Sequence, residues 1–384
     1  MKEDSLKTSE YSQSKKILIA TGIYPPDIGG PATYSKQLFD HLPLHGLSVH
    51  IMNFSDVRYL PKGLRHFVYF LKLLKEGRSA DIIFAQDPVS VGLPACLASN
   101  ILRKRFVLKV VGDYAWEQYC QKPAISEFKF TSLEKFQEEK FDFITELRRR
   151  IQKYVAGKAS RLIVPSHYLK EIMLKWGIKE NKISVIYNSF DYSAILEDKD
   201  EVRREYDING YIIVSVGRLV PWKGFMSLVE VMPDILKDNP QAKLLIIGDG
   251  PEMEKLKSKI INIGMTDNVI MLGKLPHEEV LAYLKASDVF VLNTAYEGFS
   301  HQLLEVMASG TPIVTTNIGG NVEIIEDNKN GLLVEYDNKN QIKRSILQLL
   351  SSEDLVRALT EEGKKTVNNF SKERMINETI KILI

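Results

Sequence analysis

Four charged side chains are spaced for work on a phosphate and a polyhydroxyl ligand. Glu297 and Glu305 lie in the stretch NTAYEGFSHQLLEVMASGTPIVTTNIGG, Asn293 to Gly320. Eight residues separate them, about two helical turns. Carboxylates at that separation can accept hydrogen bonds from two parts of one long polyhydroxyl ligand. Arg218 and Lys223 lie in VGRLVPWKG, Val216 to Gly224, directly after an apolar run. A guanidinium grips phosphate through a planar fork, and an ammonium acts as a mobile point charge. Two cations at one strand end can offset a diphosphate leaving group.

These side chains need a frame. The run Asp288 to Asn293 reads as a buried strand, followed by a turn through Glu297, Gly298, Phe299 and Ser300. Leu303, Leu304, Val306 and Met307 then give one apolar helix face. Gly310 and Pro312 stop that helix, and Ile313 starts another strand. A helix N-terminus at the carboxyl end of a strand offers free N–H groups and a positive dipole end to an anion. Gly298 permits close approach of a ligand to the backbone. Read without the rest of the string, Glu297 is a partner for the helix dipole and Glu305 a solvated residue.

The full string, E-G-F-S-x-x-L-L-E-x-M-A-x-G-x-P followed by Gly319, Gly320 and Glu323, resembles the C-terminal signature of the family 4 glycosyltransferases, retaining enzymes of the GT-B fold. Val216 to Gly224 is similar to that family's G-R-L-x-x-x-K-G. Gly29 and Gly30 in YPPDIGGP match its Gly-Gly loop, which faces the donor phosphates and the acceptor. Tyr187-Asn188-Ser189-Phe190-Asp191 resembles its N-G-V-D segment near the hinge, and Gly248-Asp249-Gly250-Pro251 is also family-like. The chain departs from the pattern at Gly112-Asp113-Tyr114, where relatives often carry a histidine on the donor sugar and this sequence has Asp113. The resemblance covers residues 16 to 384 and is densest from 211 to 335.

The resemblance implies roles. Arg218 and Lys223 hold the diphosphate, helped by backbone N–H groups of Gly298, Phe299 and Ser300. Glu305 binds the ribose hydroxyls and Glu297 the donor sugar. Gly217 and Gly248 belong to the tight turns at strand ends, and Lys274 and Leu275 lie where relatives hold the base through backbone groups. The acceptor enters near Gly30 and Asp113. No metal or other cofactor is needed. The expected donor is a UDP- or GDP-sugar, and the expected acceptor a glycan or lipid-linked glycan. Two alternatives stay open: a non-catalytic sugar-nucleotide or glycan-binding protein on the same fold, and a sugar-nucleotide epimerase. A phosphorylase would need a lysine site for pyridoxal phosphate, for which the sequence offers no clear candidate.

Strand-like runs alternate with helical patterns through both halves, which argues for doubly wound parallel sheets whose ligands lie beyond the strands' carboxyl ends. The first half has runs at 16–21, 48–54, 81–85, 106–111, 161–164 and 183–187. The second has them at 211–216, 242–247, 269–272, 289–292, 312–315 and 332–335. The expected architecture is α/β, two Rossmann-like domains facing across a cleft. Residues 1–195 form the acceptor-side domain and 205–370 the nucleotide-sugar domain. The last helix, 371–384, crosses back to the first. Residues 1 to about 14 read as disordered. Glu197 to Glu201 reads as a charged linker, so its Asp198-Lys199-Asp200 is not taken as a metal-binding motif. The loop at Gly29 is not G-x-G-x-x-G, so a dinucleotide fingerprint is absent.

Composition narrows the classes. At 384 residues the chain is too long for one ordinary core. A net charge of +2 gives no nucleic-acid footprint. The two cysteines, Cys96 and Cys120, have no metal or redox spacing and suggest a reducing compartment. The polar N-terminus has no signal-peptide core, and no apolar run reaches membrane-spanning length. A cytoplasmic location is expected. Two basic, apolar stretches, Leu64 to Lys75 and Phe136 to Tyr154, invite a peripheral attachment to an anionic membrane on its inner face. The competing reading packs the first against the sheet and leaves the second solvated.

Overall fold

The computed structural model describes residues 14–384 apart from 28, 123–124, 126–130 and 191–197. The expected disorder of the first residues, the position Asp191 and the domain limit at 195 lie outside the described residues.

Among the described residues, twelve strands form two six-stranded sheets in which every pairing is parallel. The first sheet holds β1 (Lys16–Thr21), β2 (Ser48–Asn53), β3 (Ile82–Ala85), β4 (Arg105–Lys109), β5 (Arg161–Val164) and β6 (Ile183–Val185). Its order is β2-β1-β3-β4-β5-β6. The second holds β7 (Ile212–Val216), β8 (Lys243–Ile247), β9 (Val269–Gly273), β10 (Val289–Leu292), β11 (Ile313–Thr316) and β12 (Leu332–Val334). Its order is β12-β11-β10-β7-β8-β9.

Each sheet is apolar on both faces, which parallel sheets covered by helices require. Leu18 and Ala20 enter one core while Ile17 and Ile19, one residue out of phase, enter another. The second sheet divides likewise: Ile213, Leu244 and Val291 face one core, and Val214, Leu245 and Leu292 the other. Strand order reverses between β1 and β3 in the first sheet and between β7 and β10 in the second. Ligands of open α/β sheets bind outside the carboxyl ends at such switch points. The loops after β1, β3, β7 and β10 therefore matter most.

The last helix, Lys372–Leu383, packs on the first domain. Met375, Ile376 and Leu383 share a core with Ile17, Ile19 and Tyr34. Arg105 reinforces the contact by donating to the carbonyls of Ile382 (2.6 Å) and Leu383 (3.0 Å).

One expectation changes here. Lys199–Glu205 is a helix, not a linker. Asp198 caps it by accepting from the Asp200 N–H, and Lys199 and Arg203 both reach Asp288, at 2.8 and 3.1 Å. Gly319–Glu323, after β11, is a short 3₁₀ helix. Among the described residues no helix is long and apolar enough to cross a membrane.

Candidate active site

The second sheet's switch point brings together residues far apart in sequence. Lys223 ends a 3₁₀ turn, Pro221–Lys223, in the loop after β7. Glu297 lies in the loop after β10. Their side chains meet, with Lys223 Nζ 2.5 Å from Glu297 Oε2 and both largely buried. Arg218, in the same loop as Lys223, is exposed and donates through Nη2 to Gln121 Oε1 of the first domain at 3.2 Å.

The helix His301–Ser309 begins where the turn after Glu297 ends. Ser300 caps it, its Oγ accepting from the Leu303 N–H. Among the described residues no protein acceptor takes the N–H groups of Gly298, Phe299 or Ser300, so these donors are available to an anion. Glu305 follows on the same helix and is held by His277 Nε2 at 3.0 Å. The hydrogen bond to Glu305 raises the His277 pKa, against a smaller opposing effect of burial. His277 starts the helix after the turn Gly273–Pro276. Lys274 in that turn is exposed and Leu275 packs partly into the core. Gly217 and Gly248 bring the loops after β7 and β8 into contact, the Gly217 N–H donating to the Ile247 carbonyl at 2.9 Å.

The first domain closes over this point. Gly29 takes φ +149 and caps the helix Gly30–His41, placing Gly30 against the His301 ring. Gly298 is close to a backbone, as expected, but the neighbour is protein. A Cβ there would stand 2.6 Å from the Val111 carbonyl oxygen. Trp116 lies between Trp222 and Tyr296, with ring centroids 5.2 and 4.9 Å away. Glu323 reaches across to accept from the N–H groups of His167 (2.9 Å) and Tyr168 (2.7 Å), and from Tyr187 Oη–H at 3.0 Å. It thereby occupies the N-terminus of the helix His167–Lys175, where a negative charge is favoured.

Asp113 is the clearest correction among the expected site residues. It is fully buried and caps the helix Tyr114–Cys120. Oδ1 accepts from the Trp116 N–H (3.0 Å) and Gln152 Nε2 (2.8 Å), and Oδ2 from Gln137 Nε2 (2.9 Å). With both oxygens committed inward, it does not stand in for a sugar-binding histidine. The acid on the cleft side of that helix is Glu117, whose carboxyl lies over Gly112 and near the Tyr296 hydroxyl. Burial, then the charges of Asp113 and Glu297, push its pKa up to about 7, with Arg218 and Lys223 opposing. Glu117 was not singled out from sequence; its place one turn after a cap residue was the available signal.

The chain matches a family model described as Glycosyltransferase Family 4 over residues 26–194 and one described as Glycosyl transferases group 1 over residues 198–366. It belongs to the family 4 glycosyltransferases. An uncharacterized glycosyltransferase of Methanocaldococcus jannaschii is 31% identical over 234 residues, 59% of this chain and 60% of that one. The chain spans about three fifths of the length of the three M. jannaschii relatives it matches, 59%, 60% and 60%. One subunit of the phosphatidylinositol N-acetylglucosaminyltransferase of Arabidopsis thaliana is 24% identical over 355 residues, covering 88% of this chain and 76% of that one. Among solved structures, Anabaena Alr3699/HepE in complex with UDP-glucose superposes with a TM-score of 0.75 at 19% identity, over 96% of this chain and 99% of that one. The two-sheet arrangement is therefore the GT-B fold.

Proposed function

We propose that this family 4 member transfers a sugar from a nucleoside diphosphate sugar to an acceptor hydroxyl, with retained anomeric configuration and without a metal. One observation carries the reading. The loops after β7 and β10 bring Arg218, Lys223, Glu297 and three unused backbone N–H groups to one switch point, facing Gly30 of the other domain.

In this reading Lys223 and Arg218 offset the charge on the departing diphosphate, aided by the N-terminus of the helix His301–Ser309. Glu305 exchanges His277 for the ribose hydroxyls, and Glu297 holds the donor sugar. The bond from the anomeric carbon to the diphosphate oxygen breaks, and its electron pair leaves with the diphosphate. The acceptor oxygen bonds to that carbon from the same face and gives up its proton to the diphosphate. Charge stabilisation on the leaving group is then the main catalytic effect. The UDP-glucose complex of HepE supports a nucleotide-sugar donor.

The test is thermal stability against UDP, GDP and their sugars, with and without EDTA. A ligand that binds only the folded state raises the midpoint. A rise with the diphosphates of one nucleoside, unchanged by EDTA, is expected. No rise with any of them favours a non-catalytic protein, and sugar interconversion without any acceptor favours an epimerase.

We also propose that the first domain rests on an anionic membrane. The helix Lys62–Glu76 turns Tyr69 and Leu73 into the core but leaves Leu64, Phe67 and Leu71 outward beside Lys72 and Lys75. Phe143 and Ile144 are likewise exposed at the start of the helix Phe143–Lys158. That second helix is less basic on its surface than its sequence suggests, because Arg149 is buried against Glu146 and the carbonyls of Gln137 and Glu139.

A further inference from the structure

A cavity of about 170 Å³ lies between the domains, bordered by Gln86, Lys109 and Asn188 on one side and Glu297, Phe299 and His301 on the other. Gln86 follows β3 and Lys109 ends β4, so the cavity sits at the first sheet's strand ends. A water's share of liquid volume is about 30 Å³, so the space admits a small group rather than a nucleotide.

Two features of its lining ask for the same thing. Lys109 is 2% exposed, yet no carboxylate among the described residues pairs with it. Nζ donates to Asn188 Oδ1 at 2.8 Å and lies 3.2 Å from the centroid of the Tyr34 ring. Burial alone pushes its pKa well below the usual lysine range. Gln86 is 3% exposed; its Oε1 accepts from Ser35 Oγ at 2.7 Å, and its Nε2 has no partner. His301 adds no second positive charge. Burial, then the Lys109 charge, push its pKa down to about 4, so the ring is neutral. Glu297 borders the same space, but its charge is met by Lys223. The lining thus has donors in excess and a buried amine with no carboxylate partner, an arrangement that is costly unless an acceptor completes it.

We propose that this cavity is an oxyanion subsite: it takes a carboxylate or phosphate group carried either by the acceptor or by the transferred sugar, with Lys109 Nζ and Gln86 Nε2 as its donors. The assignment rests on the transferase reading and adds a substrate class to it, a ligand acidic at its sugar end.

Calorimetry on the whole chain tests it, with Lys109→Met beside the wild type. That substitution keeps length and removes a buried amine with no carboxylate partner, so its thermal midpoint should not fall. UDP and GDP are titrated first, then UDP-glucuronate against UDP-glucose. L-malate, inorganic phosphate and glucose are then titrated into protein saturated with whichever nucleotide binds. At least one acid should bind more tightly than its neutral counterpart, by about tenfold or more for a hydrogen bond to a charged group. Lys109→Met should remove that gain and leave UDP and GDP affinity unchanged. A preference for UDP-glucuronate puts the anion on the transferred sugar; one for malate or phosphate puts it on the acceptor. Binding of the acid should also take up a proton, seen as a dependence of the heat on the buffer's ionisation enthalpy, because an anion beside Lys109 restores its charge. Tyr34, His301 and Glu297 are the other titratable groups at this point. Equal binding of acids and neutral sugars, or an unaltered acid preference in Lys109→Met, overturns the subsite. So does a fall in UDP or GDP affinity in that variant, which would assign Lys109 to the donor diphosphate. If no nucleotide binds the wild type, the transferase reading falls, and the acids titrated alone still decide the subsite.

Discussion

Lys223 Nζ stands 2.5 Å from Glu297 Oε2, and the two residues come from loops on either side of the second sheet's switch point. The pair fixes each side chain while leaving the ammonium two further N–H donors for a phosphate oxygen. Lys223→Ala should lower turnover on the order of 100-fold, the effect of losing one preorganised charge stabiliser. Steady-state kinetics on the proposed nucleotide sugar, alongside a thermal midpoint to show that the fold survives, check this. A rate near that of the wild type removes Lys223 from the mechanism.

Glu117 should give the protein a pH-dependent stability near neutrality. Its folded pKa, about 7, is raised above the ordinary glutamate value of 4.5. The folded state therefore holds this proton more tightly than the unfolded one. The associated stability is fully present below about pH 4.5 and is lost as pH rises through 7. Glu117→Gln should be more stable than wild type above pH 7, with the difference shrinking towards pH 4.5. Denaturation midpoints measured across that range decide it, and a constant difference refutes the assignment.

His277 and Glu305 make a second pH-sensitive contact with the opposite chemistry. Glu305 raises the His277 pKa, so the pair's contribution is complete below the unfolded histidine value of 6.5 and fades as pH rises through the folded one. If ribose hydroxyls replace His277 on Glu305, Glu305→Ala should weaken UDP or GDP binding by about tenfold, the scale of one charged hydrogen bond. His277→Ala should leave nucleotide affinity equal to or above that of the wild type. Equal losses in the two variants would mean that His277 also touches the nucleotide.

The legible parts of this protein were those governed by local rules. The twelve strands emerged from apolar runs because fully buried parallel strands need them, and observed limits such as Arg161–Val164 and Val289–Leu292 match the expected ones. Glu297 and Glu305 could be singled out because the whole string around them resembles a family signature; their spacing alone reads as a dipole partner and a solvated residue. Asp113 misled because an aspartate at the end of a strand loop is equally good as a helix cap, and the choice was made by Gln137 and Gln152, far along the chain. Lys109 gave no local signal at all. It ends an ordinary strand, and only the packing of Asn188, Tyr34 and His301 around it makes it unusual.

The outward apolar residues of the helix Lys62–Glu76 should bind anionic vesicles. Phe67 is 58% exposed, an uncommon position for a phenylalanine with lysines beside it. Co-sedimentation with phosphatidylserine vesicles should be measurable at low salt and fall as salt rises. Phe67→Ser combined with Leu71→Ser should abolish it without lowering the thermal midpoint. No binding by the wild type even at low salt rules out surface attachment through this helix.

Gly298→Ala should separate nucleotide binding from turnover. A Cβ at this position would meet the Val111 carbonyl oxygen at 2.6 Å and Leu169 Cδ1 at 2.9 Å, both in the first domain. The first of these is backbone and cannot rotate away, so the domains must part slightly to admit the methyl group. Overpacking of this kind costs about 1–3 kcal/mol, enough to open the interface that holds Gly30 against His301. Arg218, Lys223 and Glu305 all belong to the second domain; the parting loosens the Arg218 contact to Gln121 and leaves Lys223 and Glu305 in place. UDP or GDP should therefore bind the variant with near wild-type affinity while kcat falls by about tenfold or more, because small misplacements across the cleft are costly to reaction geometry. An unchanged kcat would mean that contact between Gly298 and Val111 is dispensable for turnover. Loss of nucleotide binding as well would mean that the donor is gripped by both domains.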